Sequence, residues 1–261
     1  MASNSAGYDT SSSVYSPDGT VHQVEYAGKA PAQSPVAIGL RVKDGVVFAV
    51  QKIIQSKLVV PGANRRIQSP DEHVGMACAG LTQDAFRLGE YAREEASSYR
   101  QRYRGPISVQ ALADHTGYVC QTYTLYSSVR PFGVHALLGG IDSSGPKLYF
   151  IDQAGKYGGY RGCAIGKNNQ LARTEIEKLD LENMSAKDAL VEAAKIIHHI
   201  HDATTNKEFE IEMSWVSSTD TGGKHVPVPR EVAKEAEEKA KAALEGDDDD
   251  DDDDQEMATA S

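Results

Sequence analysis

Val36 to Val42 and Val46 to Ile54 are β-branched runs separated only by Lys43-Asp44-Gly45. Asp-Gly between such runs is a strong hairpin signal, so this stretch is read as two antiparallel strands. His73 to Ala79 reads as a further strand that stops at Gly80. Two helices follow. Thr82 is a plausible N-cap for the first, with Ala85, Leu88, Ala92, Ala96 and Tyr99 on one face. In the second, Val109, Leu112, Ala113, Thr116, Val119, Cys120 and Tyr123 recur at three and four. Arg130-Pro131-Phe132-Gly133 ends that unit, and three short strands come next, Val134 to Ile141, Lys147 to Asp152 and Tyr160 to Gly166.

Helices are then expected over Asn169 to Leu179 and from a Ser185-x-x-Asp188 capping box, the latter with Leu190, Ala194, Ile197 and His201 on one face. Glu210 to Ser217 alternates as a strand, and Val232 to Leu244 is a helix by composition. Strands, two helices, strands, two helices, strand, helix gives an α+β class, best met by two sheets packed face to face with helices outside. Residues 1–16 are too poor in apolar side chains to fold alone, 17–245 form a single domain, and 246–261 form a disordered acidic tail. Ahead of the hairpin, Pro17-Asp18-Gly19 is turn chemistry, and Thr20 can cap a helix to about Lys29, which Pro31 to Pro35 breaks.

The formal charge of −11 overstates the acidity of the body. Asp247 to Asp254 with Glu256 supply nine of the negative charges, so the remainder carries −2 and offers no basic patch for nucleic acid. No stretch reaches the roughly 20 apolar residues of a membrane span, and the N-terminus lacks the features of a secretory signal. Cys78, Cys120 and Cys163 lie far apart in apolar contexts, which reads as buried free thiols in a reducing compartment. His198 and His201, at i and i+3, make a metal site conceivable, but a mixture of core and surface histidine is the plainer reading.

The N-terminal segment YDTSSSVYSPDGTVHQVEYAGKA, Tyr8 to Ala30, resembles the signature of proteasome alpha-type subunits. The resemblance extends through His73-Val74-Gly75-Met76, Ala79-Gly80-Leu81, Val129-Arg130-Pro131-Phe132-Gly133 and Gly162-Cys163-Ala164-Ile165-Gly166-Lys167. Thr174-Glu175-Ile176-Glu177-Lys178-Leu179 and the acidic tail are similar to the eukaryotic seventh alpha-ring position. The resemblance implies a four-layer αββα sandwich of the N-terminal-nucleophile hydrolase type. It also implies a heteroheptameric ring stacked on a ring of catalytic beta subunits, no cofactor, a place in cytoplasm and nucleus, and a part in ubiquitin-dependent protein catabolism.

Catalytic relatives in that fold use a threonine at the start of the first hairpin strand, whose free amine is the base. Here Pro35 falls at that position and Gln51 at that of the supporting aspartate, Arg65 or Arg66 is the matching basic residue, and 34 residues precede the strand. The alternative of an active threonine-type peptidase therefore lacks its nucleophile, and a free-standing acidic interaction protein is a third reading. Carried over residue by residue, the resemblance implies a gate cluster of Tyr8, Asp9, Pro17 and Tyr26. It implies a pocket of Gly19, Glu25, Arg66, Gly80 and Leu81 that docks the C-terminal tails of regulatory particles or other activators, with unfolded polypeptides in transit. Thr10 stands where arginine is usual, so the gate network loses a cation, and Arg66 stands for a lysine.

Overall fold

A computed structural model describes residues 7–54, 56–201 and 208–259, with side chains up to residue 244. The strands form two five-stranded sheets, each antiparallel throughout. The first has the order β10 (His225–Pro227), β9 (Phe209–Ser217), β2 (Gly45–Ile53), β1 (Ala37–Val42), β8 (Gly162–Ile165). The second runs β3 (Ile67–Asp71), β4 (Val74–Gly80), β5 (Val134–Asp142), β6 (Gly145–Ile151), β7 (Tyr157–Gly159).

Strand periodicity builds the layers. In β2, Val46, Phe48 and Val50 point into the space between the sheets, while Val47 and Ala49 join the outer core. That outer core is closed by α4 (Asn169–Glu177), α5 (Ala186–His199) and α6 (Arg230–Thr259). Val74, Met76 and Cys78 of β4 face the other way, against α2 (Thr82–Tyr103) and α3 (Val109–Leu125). The result is the expected αββα sandwich, with three apolar layers buried between four layers of structure.

The hairpin forms, with Val42 paired to Gly45. The expected helical faces are also those buried: Ala85, Leu88, Ala92 and Ala96 in α2, and Leu190, Ala194 and Ile197 in α5. Ser185 caps α5 by accepting from the Asp188 amide at 3.3 Å.

Several expectations are corrected. The strand expected over Tyr160 to Gly166 forms as β8, trimmed to Gly162–Ile165 and paired with β1 of the first sheet, whereas β7, just ahead of it and paired with β6, was not expected. Helix α1 (His22–Gln33) passes through Pro31 rather than stopping before it. Proline's fixed φ suits the helix, and the bond it forgoes falls in the last turn. Thr20 is not the cap; its hydroxyl lies 2.9 Å from that of Ser16, and Val21 takes the N-cap position without a side-chain bond. Thr82 is the first residue of α2, with Leu81 at its N-cap position. Strands β3 and β10 have no counterpart in the sequence reading. Helix α6 (Arg230–Thr259) includes the helix expected over Val232 to Leu244. The side chains of the acidic tail and residues 1–6 of the N-terminal segment lie outside the described residues.

Candidate functional site

The corner where β1 begins is where chemistry was to be sought, and α1 delivers the chain into it. Ser34 ends α1, its carbonyl accepts the Lys167 amide at 2.7 Å, and Pro35 leads into β1. Gly166, at φ +101, passes so close that an added Cβ would sit 2.7 Å from the Pro35 oxygen. Pro35, joined to Ser34 through its nitrogen, offers neither hydroxyl nor free amine, and its carbonyl packs against Gly166.

The partners that would activate a nucleophile are committed elsewhere. Gln51 is buried, its amide bonds the Val36 carbonyl at 2.9 Å, and its side-chain Nε2 lies 2.9 Å from His201 Nδ1. His201 and His198 both pack on Phe209, at 4.3 and 5.1 Å between centroids. His198 Nε2 is buried without a hydrogen-bond partner, and burial lowers the imidazole's affinity for a proton. No group of three His, Cys, Asp or Glu able to hold a metal occurs among the described residues.

Arg66 reaches the corner from the loop before β3. Its Nη2 donates to Ser34 Oγ at 2.6 Å and, more weakly, to the carbonyls of Cys78 and Gly80 at 3.4 Å each. Its amide donates to Glu212 Oε2 at 2.8 Å. Burial pulls the guanidinium below its ordinary value, opposed by Cys78 and Glu212, and Nε is left buried without an acceptor. A cavity of about 260 Å³ opens beside it, lined among others by Pro35, Lys52, Arg66, Thr82 and Glu210. Lys52 pairs with Glu210 at 2.6 Å and also donates to the Ala63 carbonyl.

The proposed pocket residues are only partly gathered. Arg66 meets Gly80 through the weak bond to its carbonyl; Gly80 holds φ +128 with Gly133 O against its open side, and the next residue, Leu81, half exposed, donates its amide to the Gly133 carbonyl at 2.9 Å. Gly19, at φ +77, and Glu25, 3.5 Å from His22, lie at the start of α1 without a recorded bond to Arg66. Among the gate residues, Asp9 is tied to α1 through its carbonyl, which accepts from Gln23 Nε2. Tyr26 stacks on His22 at 6.0 Å and lies under Lys29 Nζ at 4.8 Å. No hydrogen bond or ring contact joins Tyr8, Asp9, Pro17 and Tyr26 to one another among the described residues.

Two contributors escaped the sequence. Ser34 holds Arg66 in place, and Asp84 clamps the Arg130-Gly133 turn. Asp84 takes both terminal nitrogens of Arg130 at 2.6 and 2.7 Å and the Gly133 amide at 2.8 Å. Burial works to raise the Asp84 carboxyl, but those donors together hold it below its ordinary value. An acidic residue in the first turn of α2 was the available signal. The three cysteines are buried free thiols, and burial pushes Cys78 and Cys120 up to about 12, far from reactive thiolate.

An αββα sandwich of the N-terminal-nucleophile type with proline at the nucleophile position is a non-catalytic member of that class. The sequence matches the family described as Proteasome subunit over residues 33–216, and the N-terminal signature of that family's A-type members over residues 8–30. It is 51% identical to the alpha type-3 proteasome subunit of Acanthamoeba castellanii, over 92% of this chain and 94% of that one. It is 46% identical to the probable alpha type-7 proteasome subunit of Saccharomyces cerevisiae (95% and 87%) and 45% identical to the alpha type-3 proteasome subunit of Spinacia oleracea (94% and 98%). The chain belongs to the proteasome subunit family, as an alpha-type, non-catalytic member that assembles with other proteasome subunits.

Proposed function

We propose that this chain fills the alpha type-3 position, the seventh, of a heteroheptameric alpha ring seated on the catalytic beta ring. There its N-terminal segment helps to close the substrate entrance, and the Arg66 corner helps to dock carboxylate-ended tails of activators. The work served is ubiquitin-dependent protein catabolism in cytoplasm and nucleus. The observation that carries the gate reading is the alpha signature over 8–30, on a segment whose apolar side chains lack cover in the single chain. Tyr15 is 70% exposed, and on the separate loop after β2 Leu58 is 93% exposed, which favours cover by further subunits. Among the described residues no helix is long and apolar enough to cross a membrane.

Deleting residues 2–9 in the assembled core should raise hydrolysis of a small fluorogenic peptide several-fold. An unchanged rate would place the gate in other subunits' segments.

The docking reading rests on the cation beside the cavity. A terminal carboxylate meeting the Arg66 guanidinium at the cavity gains a charge-assisted hydrogen bond. Arg66→Glu reverses that charge next to Glu212. It should weaken activation by a peptide ending in a free carboxylate about tenfold, while the amidated peptide stays inert on both cores. Because Arg66 also braces Ser34, assembly on a native gel is checked first, and Arg66→Lys serves as the charge-keeping control. Unaltered activation of assembled Arg66→Glu cores would mean that this pocket is unused.

A further inference from the structure

The N-terminal segment is not simply draped on the body. Ser12 is 5% exposed, although Thr10, Ser13, Val14 and Tyr15 around it are exposed. Its hydroxyl lies 3.1 Å from the Tyr126 carbonyl and 3.5 Å from that of Val129, 114 and 117 residues away. Both carbonyls belong to the turn that follows α3, which closes on itself through the Val129 amide and Tyr126 oxygen at 3.4 Å. A serine hydroxyl has one proton, so the bond is shared, with the nearer Tyr126 oxygen taking the larger part.

The neighbouring hydroxyls do something else. Ser11 and Ser13 bond each other at 2.8 Å on the exposed side, and Ser16 bonds Thr20 within its own turn. The Asp9 contact with Gln23 reaches only α1, the element the segment itself leads into. Among the described residues, Ser12 alone of this segment ties it by a side-chain hydrogen bond to the body beyond α1.

We propose that Ser12 is a positioning residue of the entrance: its hydroxyl pins the N-terminal segment to the Tyr126–Val129 turn and so sets where the residues ahead of it project. The inference rests on the gate reading and adds to it a residue outside Tyr8, Asp9, Pro17 and Tyr26. Without the hydroxyl, the segment keeps its covalent path but loses its lateral tether, and the residues ahead of it sample positions away from the entrance. A carboxylate at the same place would face two carbonyl oxygens in a spot closed to water, so it must leave.

The test uses assembled cores carrying Ser12→Ala, Ser12→Thr and Ser12→Asp, each with and without deletion of residues 2–9. Two readouts are taken: small-peptide hydrolysis, and the rate at which added protease clips the segment. One neutral hydrogen bond shifts the pinned-to-released ratio about fivefold. Ser12→Ala should therefore speed clipping up to about fivefold and raise hydrolysis. Ser12→Asp should exceed it, and Ser12→Thr, which keeps the hydroxyl, should stay near the starting rate. In the deletion background Ser12→Ala should add nothing to hydrolysis, which a general loosening of the subunit would not reproduce. Equal clipping in the alanine and parent cores overturns the proposal, as does an alanine effect on hydrolysis that persists in full after the deletion. Faster clipping with hydrolysis insensitive to the deletion would keep the pin and overturn the gate reading, and with it the role proposed for Ser12 at the entrance.

Discussion

Replacing Gly45 with alanine is expected to cost the subunit more than about 3 kcal/mol and to keep it out of assembled cores. An added Cβ at this position would stand 2.0 Å from the Val216 carbonyl oxygen and 3.0 Å from Ser217 Cα. Both atoms are backbone, so no side chain can swing aside. Gly45 pairs with Val42 on one side and Ser217 on the other, at the corner where β1, β2 and β9 meet. Making room means lifting β9 off β2, which strips ladder bonds from the centre of the first sheet and leaves buried amides unpaired. Gly158→Ala is the control. Its Cβ would meet only Tyr160 Cε2 at 3.5 Å, an ordinary contact, so a change within about 0.5 kcal/mol is expected. The sole tryptophan, Trp215, lies in β9 opposite Val47 and reports opening of this ladder by fluorescence during urea unfolding. A Gly45→Ala chain as stable as the Gly158→Ala chain would show that the contact relaxes at little cost.

That glycine shows what the sequence can and cannot say. Asp-Gly announced the hairpin, and the hairpin is there, but not because glycine supplies a positive φ; Gly45 is not among the residues with φ above zero. The need for glycine comes from β9, which arrives about 170 residues later in the chain. Local signals made the first hairpin and the buried faces of α2, α3 and α5 legible, since each depends on spacing within one element. Strands β3 and β10 were missed because three to five residues with proline in them carry no periodicity, and they are strands only because a neighbour pairs with them. β7 escaped for the same reason, since its three residues, Tyr157–Gly159, become a strand only by pairing with β6.

The candidate site divides in the same way. Pro35 and Gln51 were legible because their places follow from the hairpin register, and their chemistry is that of single side chains. The inward turn of Arg66 onto Ser34, Cys78 and Gly80 was not, since three separate segments meet there. The Ser12 tether spans more than a hundred residues, and nothing in a run of three serines distinguishes the middle one.

Lowering the pH from 6.5 to about 4 is expected to take about 3 kcal/mol from the isolated chain through one residue, His225. Its ring sits between the sheets, with Nδ1 2.7 Å from Ser69 Oγ of the second sheet and Nε2 2.9 Å from Ser214 Oγ of the first. Phe48 meets it edge to face at 6.1 Å, and Gly75 leaves it room, since a Cβ there would come within 2.5 Å of the ring. Burial lowers its pKa from the ordinary 6.5 to about 4. Both hydroxyls can turn to suit a neutral ring, and neither carries charge to support a cationic one. Between those two values the unfolded chain holds a proton that the folded chain refuses. Stability therefore rises with pH through this window and is lost as pH falls through it. At about 1.4 kcal/mol per pH unit, the gap between 6.5 and about 4 gives the stated loss. Carboxylates such as Glu212 also titrate as acid is added, so the difference between parent and His225→Gln isolates the histidine. At pH 7 the glutamine variant should be the weaker by about 1–3 kcal/mol, from imperfect bonds to Ser69 and Ser214. By pH 4 that deficit should shrink or reverse, because glutamine has no proton to refuse. A parent-minus-variant difference that stays constant from pH 7 to 4 would mean that the ring charges in place, and that the two sheets are not held together by a neutral imidazole.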